Sequence, residues 1–121
     1  MRTLTRAKQL QDRTIKFAIR VIEASTKVPK TEAGRVLIRQ FLRSGTSLAE
    51  NYRAACRSRP AADFISKISV AVEETDETLF WFELLVESGL VKPRLFEPLM
   101  GECEELLRIS SRSLATAKSN H

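Results

Sequence analysis

The chain has 121 residues, 43% of them hydrophobic and 29% charged, with a net charge of +5; that length suits one core, and the apolar share is enough to offset chain entropy, so neither a second domain nor global disorder is expected. Four Gly and four Pro are too few for an all-β fold, which needs a turn signal about every 8 to 12 residues. The single histidine is His121, where a fraying terminus is not expected to hold catalytic geometry, so Ser-His and Cys-His nucleophile systems and the Glu-x-x-His ligands of di-iron bundles are not expected.

Four long elements remain. Thr5 opens a first helix, α1, over about residues 5–26, with Leu10, Ile15, Ala18, Val21 and Ile22 as its apolar run and Pro29 beyond its end. Thr31, followed by Glu32, caps α2 over about 31–57, where Leu37, Phe41, Leu48, Tyr52 and Ala55 mark one face and Pro60 enforces the stop. Within it, Gly45 costs roughly 1 kcal/mol relative to alanine, so a close helix approach is expected there, and Asn51 is placed to hydrogen-bond across the bundle. Pro60 starts α3, about 60–88, whose core face carries Phe64, Ile65, Ile68, Val72, Thr75, Leu79, Phe82 and Val86 before Gly89, a natural residue just past a helix end. Pro93 starts α4, about 93–118, with Leu95, Leu99, Cys103, Leu106, Leu107 and Leu114 on its face; Pro98 predicts a kink or a later true start. Helices of this length with short connections predict an all-α fold: one antiparallel up-down-up-down four-helix bundle spanning residues 1–121.

The charge is unevenly divided. Residues 1–59 hold 14 Lys or Arg against 4 Asp or Glu, a net +10; residues 60–121 hold 6 against 11, a net −5. At about 100° per residue, Arg6, Arg13, Arg20 and Lys27 form a stripe on α1, and Arg35, Arg39, Arg43, Arg53 and Arg57 form a second one opposite the apolar face of α2. Guanidinium forks suit phosphate, so one reading is a surface that contacts RNA or DNA. The other is a solvated face, or arginines paired with Glu73, Glu77, Glu83 and Glu87 of a neighbouring helix or subunit.

α3 is apolar on two sides. Opposite its core face, Val70, Phe80, Trp81 and Leu84 cluster beside Glu73 and Glu77, and three consecutive aromatics cannot all enter one core. Such a face is expected to be buried against another chain, which predicts a homo-oligomer with Val70, Phe80, Trp81 and Leu84 at the interface.

Cys56 and Cys103 have neither a CxxC spacing nor histidine partners, so free structural thiols are expected, and no metal or cofactor. No apolar leader or membrane span appears, and a cytoplasmic protein with no membrane partner is expected. One enzyme alternative rests on carboxylates. Glu73, Glu74 and Glu77 with Glu102 and Glu105 are spaced to place oxygen ligands around Mg²⁺, as in all-α nucleoside triphosphate pyrophosphohydrolases, although the second motif ends in Glu105 where aspartate is usual.

The stretch RSGTSLAENYRAA at 43–55, with RSRPAADFISKISVAVEETDETLFWFELL at 57–85, resembles the four-helix-bundle family related to proteins encoded in intervening sequences of bacterial large-subunit ribosomal RNA genes. Ser44 to Asn51, Asp63, Phe64, Lys67, Glu73, Glu74, Glu77 and Trp81 fall on its recurring pattern; Pro60 and Pro98 depart from it. The resemblance implies a homo-oligomeric bundle, commonly a pentameric ring, with no established enzymatic activity. Relatives in diversity-generating retroelements bind reverse transcriptase and nucleic acid through a basic surface, which by analogy implies RNA, DNA or a nucleic-acid enzyme as a partner. The expectation is therefore a non-enzymatic scaffold or accessory protein.

Overall fold

The computed structural model describes residues 5–120, so His121 lies outside it. Four helices follow in order: α1 Arg6–Ser25, α2 Glu32–Cys56, α3 Ala61–Glu87 and α4 Pro93–Ser119. Every boundary lies within one residue of its expected place. The caps explain why. The Thr5 hydroxyl accepts the Lys8 N–H at 3.1 Å, and the Thr31 hydroxyl accepts the Gly34 N–H at 3.1 Å, so each side chain takes up an otherwise unpaired donor. Pro60 needs no donor at the start of α3. Gly89 ends that helix at φ +79°, with its N–H returned to Val86 C=O at 3.1 Å. The later start of α4 does not occur: the helix begins at Pro93 and runs through Pro98, which lies early enough to remove a single backbone bond.

Each helix packs on its sequence neighbour, and α1 closes the set against α4, so α1 and α3 lie across a diagonal, as do α2 and α4. This is the up-down bundle. Its centre is aromatic, with one phenylalanine from each helix. Phe82 meets Phe41 edge-on at 4.7 Å between ring centroids, and Phe17 and Phe96 stand 6.3 and 6.1 Å from Phe82. Ile68, Leu48, Leu85, Leu99 and Leu106 extend the core along the axis, while Val28 and Val91, from the first and third connections, plug one end.

Core assignments differ from the sequence reading on three helices; on α3, Ile65 and Val72 are half-buried outside the core cluster, as is Leu107 on α4. On α1 the buried stripe is Leu10, Thr14, Phe17, Val21 and Ser25, whereas Ile15 and Ile22, expected inside, are exposed. The buried stripe tolerates two hydroxyls because Thr14 and Ser25 donate back to Gln11 C=O and Ile22 C=O. On α4, Phe96 takes the core position and Leu95 faces outward. Gly45 behaves as expected: a Cβ there would sit 2.7 Å from Val21 Cγ1, so the missing side chain is what lets α2 approach α1.

Candidate assembly and nucleic-acid surfaces

Residues 73–87 of α3 carry six carboxylates and no Lys or Arg. In their midst the second apolar side of the helix is present as expected. Phe80 is 53% exposed and Leu84 37%, while Val70 and Trp81 are half-buried. Phe80 packs edge-on against Trp81 at 5.0 Å, and the indole Nε1–H donates to Glu77 Oε2 at 3.3 Å. Trp81 therefore has its inner edge on the core and its outer edge on this face.

At the seam with α2, Arg43 reaches two of those carboxylates. Its Nη1 lies 3.1 Å from Glu74 Oε2, and its Nη2 pairs with Glu77 Oε2. Beneath this pair the buried hydroxyls of Ser44 and Thr78 are hydrogen-bonded at 2.8 Å. Asn51 does not cross the bundle. Its amide donates to Ser47 C=O and Ser47 Oγ on its own helix, because the i−4 carbonyl is already within reach. The α2–α3 seam thus gathers Ser44, Glu74, Glu77 and Trp81, all expected from the family resemblance.

The two arginine stripes do not merge into one surface. Arg13 extends from α1 to α4, donating Nη2–H and Nε–H to Glu102 Oε1 and Oε2 at 2.8 and 3.1 Å, so Arg6, Arg13 and Arg20 follow the α1–α4 edge. The Glu102 partnership raises the Arg13 pKa still further above neutrality. On α2, Arg35, Arg39, Arg53 and Arg57 are exposed with no carboxylate in ion-pair range among the described residues, while Arg43 is taken up by Glu74 and Glu77. Spacing along one helix showed the stripes; it could not show which arginines a facing helix would engage.

The carboxylates offered for Mg²⁺ do not converge. Glu74 and Glu77 are drawn to Arg43 on the α2 side, Glu102 to Arg13 on the α1 side, and Glu105 to Arg108 along its own helix. Among the described residues no group of three or more Asp, Glu, Cys or His could hold a metal ion. The two thiols are free: Cys103 is buried and donates to Thr75 C=O, and Cys56 is half-buried. Burial pushes both thiols up, with Glu104, Asp76 and Glu102 adding to the effect at Cys103, so neither offers a thiolate at neutral pH. No helix among the described residues is long and apolar enough to cross a membrane.

Comparison with known proteins fits this geometry. The model of the 23S rRNA-intervening sequence protein family matches residues 7–112. The chain belongs to that family. Its bundle is similar to the crystal structure of a protein of unknown function from the S23 ribosomal protein family of Bacteroides thetaiotaomicron, with a TM-score of 0.83 and 27% identity over 92% of this chain and 99% of that one. No curated protein matches it. In this member of the 23S rRNA-intervening sequence protein family, the α2–α3 seam is held by Arg43 ion-paired to Glu74 and Glu77, by Thr78 donating to Ser44, and by Trp81 donating to Glu77.

Proposed function

We propose that this protein is a non-enzymatic, cytoplasmic scaffold or accessory protein that assembles with copies of itself, in a pentamer by family analogy, and presents the outer arginines of α2 to RNA or DNA. The observation that carries the reading is the solvent-facing pair Phe80 and Leu84 beside Trp81, an aromatic patch among the carboxylates of the outer face of α3. Assembly is tested by Phe80→Glu with Leu84→Glu. Both side chains point outward, so the fold is retained while the solution mass falls from that of the oligomer to that of the monomer; an unchanged mass removes this face from the assembly.

Arg35, Arg39, Arg53 and Arg57 support the nucleic-acid half, because they are exposed and no intramolecular carboxylate neutralises them among the described residues. Arginines that displace counterions give an affinity that falls with salt, with a slope of about −0.9 per phosphate contacted on duplex DNA. Fluorescence anisotropy against a structured RNA and a DNA duplex, across a salt series, measures this. Arg39→Glu with Arg57→Glu should abolish binding, while Arg43→Gln, whose arginine is already paired, should leave most of it. Absence of binding at low salt would turn the reading toward a nucleic-acid enzyme as the partner.

A further inference from the structure

The α1–α4 seam opens, toward the N-terminal end of α1 and the C-terminal end of α4, into a groove of about 870 Å³. Small-molecule sites usually enclose roughly 300 to 1,000 Å³. One face of each helix walls it. Arg6, Leu10 and Arg13 recur at i, i+4 and i+7 on α1, and Ile109, Arg112, Ser113 and Thr116 at i, i+3, i+4 and i+7 on α4, so each wall is about 10 Å long. Tyr52, which is buried, and Phe64, which is half-buried, line the floor from α2 and α3.

The charge of this groove has one sign. Three arginines line it, and among the described residues no Asp or Glu does. Arg13, at the inner end, is held by Glu102, but Arg6 and Arg112 pair with no carboxylate among the described residues. The Arg13–Glu102 pair also sets the register of the two antiparallel helices. Seven residues toward the N-terminus of α1 and seven toward the C-terminus of α4, Arg6 comes level with Ile109, and Arg112 lies about 4.5 Å further along. Two unneutralised guanidinium groups therefore stand on opposite walls at the outer end, above a floor that carries two rings.

We propose that this groove binds a nucleoside monophosphate, with the phosphate between Arg6 and Arg112 and the base on Phe64 and Tyr52. Two guanidinium forks match a phosphate monoester, which carries about −1.5 to −2 at neutral pH, better than they match a single carboxylate. An aromatic floor suits a planar base, because every base has a π-face. Ser113 and Thr116 add hydroxyls to the α4 wall, which suits a sugar and disfavours an acyl chain. The site is separate from the outer arginines of α2, none of which lines it. A free mononucleotide and the phosphorylated end of an unpaired RNA or DNA strand present the same chemistry.

Isothermal titration calorimetry on the whole chain at low salt tests this, with ribonucleoside 5′-monophosphates, adenosine, inorganic phosphate and a 5′-phosphorylated single-stranded oligonucleotide as probes. The monophosphates should bind, and adenosine and inorganic phosphate should each bind about tenfold more weakly or worse. Arg6→Gln with Arg112→Gln should weaken the monophosphates by about tenfold or more. Phe64→Leu keeps the bulk and removes the ring; with its helicity verified by circular dichroism, it should weaken the monophosphates several-fold and leave inorganic phosphate unchanged. Arg94→Gln, exposed at the other end of α4, should change nothing. If only the oligonucleotide binds, and the Arg6, Arg112 double variant loses it, the site stands and a strand end is its source. If that double variant weakens the monophosphates no more than Arg94→Gln does, the binding is general attraction to a basic protein and the groove is overturned as its site. If inorganic phosphate binds as tightly as the monophosphates, the groove takes a bare anion and the nucleoside is overturned. No binding by any probe overturns the proposal outright, while the measurements on Arg39→Glu with Arg57→Glu judge the α2 surface independently.

Discussion

The two seams that hold α1 in the bundle are built on opposite plans. Toward α2 the backbones come close because side chains are missing: Gly45 leaves room for Val21, Gly34 leaves room for the Pro29 carbonyl, and the Cys56 thiol approaches Ala7 C=O at 4.0 Å. Toward α4 the helices make the fewest contacts of any neighbouring pair and are spanned by the long side chains of Arg13 and Glu102. Near the free ends they leave a groove of about 870 Å³, lined in part by Arg6, Tyr52, Phe64, Ile109 and Arg112. A seam closed by small residues is rigid and intolerant of added volume; one spanned by a partly solvated ion pair is adjustable and contributes little stability. The bundle therefore takes its stiffness around α1 from the α2 side, where Gly45 meets Val21.

The severest break should come at the connection leading into the tight seam. A Cβ at position 34 would lie 1.9 Å from the Pro29 carbonyl oxygen, and a backbone atom has no rotamer by which to move aside. Gly34→Ala should therefore lose about 3 kcal/mol despite alanine's better helix propensity, lowering the melting temperature by roughly 10 °C. A melting temperature equal to wild type would mean that the turn at Pro29 gives way freely.

Gly45→Ala comes next. Its methyl would meet both γ carbons of Val21, at 2.7 and 3.0 Å, so rotation about χ1 exchanges one clash for another. The overlap is partly offset by about 1 kcal/mol of helix propensity, leaving an expected loss of about 1 to 2 kcal/mol. Val21→Ala alone should cost about 2 kcal/mol through the cavity it opens. Together they should cost clearly less than the two losses added, because each fills or frees the space the other needs. Strict additivity in a denaturant-unfolding cycle would separate the two positions.

The fold was legible because its signals are local. Thr5, Thr31, Pro60, Gly89 and Pro93 each act through the backbone within a turn of themselves, and all five mark a helix limit or its immediate flank. The errors fell where facing helices decide. Ile15 and Ile22 are more apolar than Thr14 and Ser25, so composition assigns them to the core, yet Phe17 and Val21 turn the helix the other way and the hydroxyls find carbonyls of their own helix. The candidate surfaces were half legible for the same reason. The outer face of α3 shows in one helix, since three successive aromatics must diverge. The engagement of Arg13 by Glu102 links residues 89 positions apart, and no spacing within α1 contains it.

The smallest effect should appear at that ion pair. Arg13 and Glu102 form two hydrogen bonds, but their side chains remain 40% and 24% exposed, so solvent and salt screen them and their coupling should be below about 1 kcal/mol. The consequence should be local. In native-state hydrogen exchange, Arg13→Ala should speed the amides of the first turns of α1 and the last turns of α4, which border the groove, while those around Val21 and Gly45 keep wild-type protection. Raising the salt concentration on the wild-type protein should move the same amides in the same direction. Equal acceleration around Gly45 would mean that α1 is released as one unit, with the ion pair holding the tight seam closed from the other side of the helix.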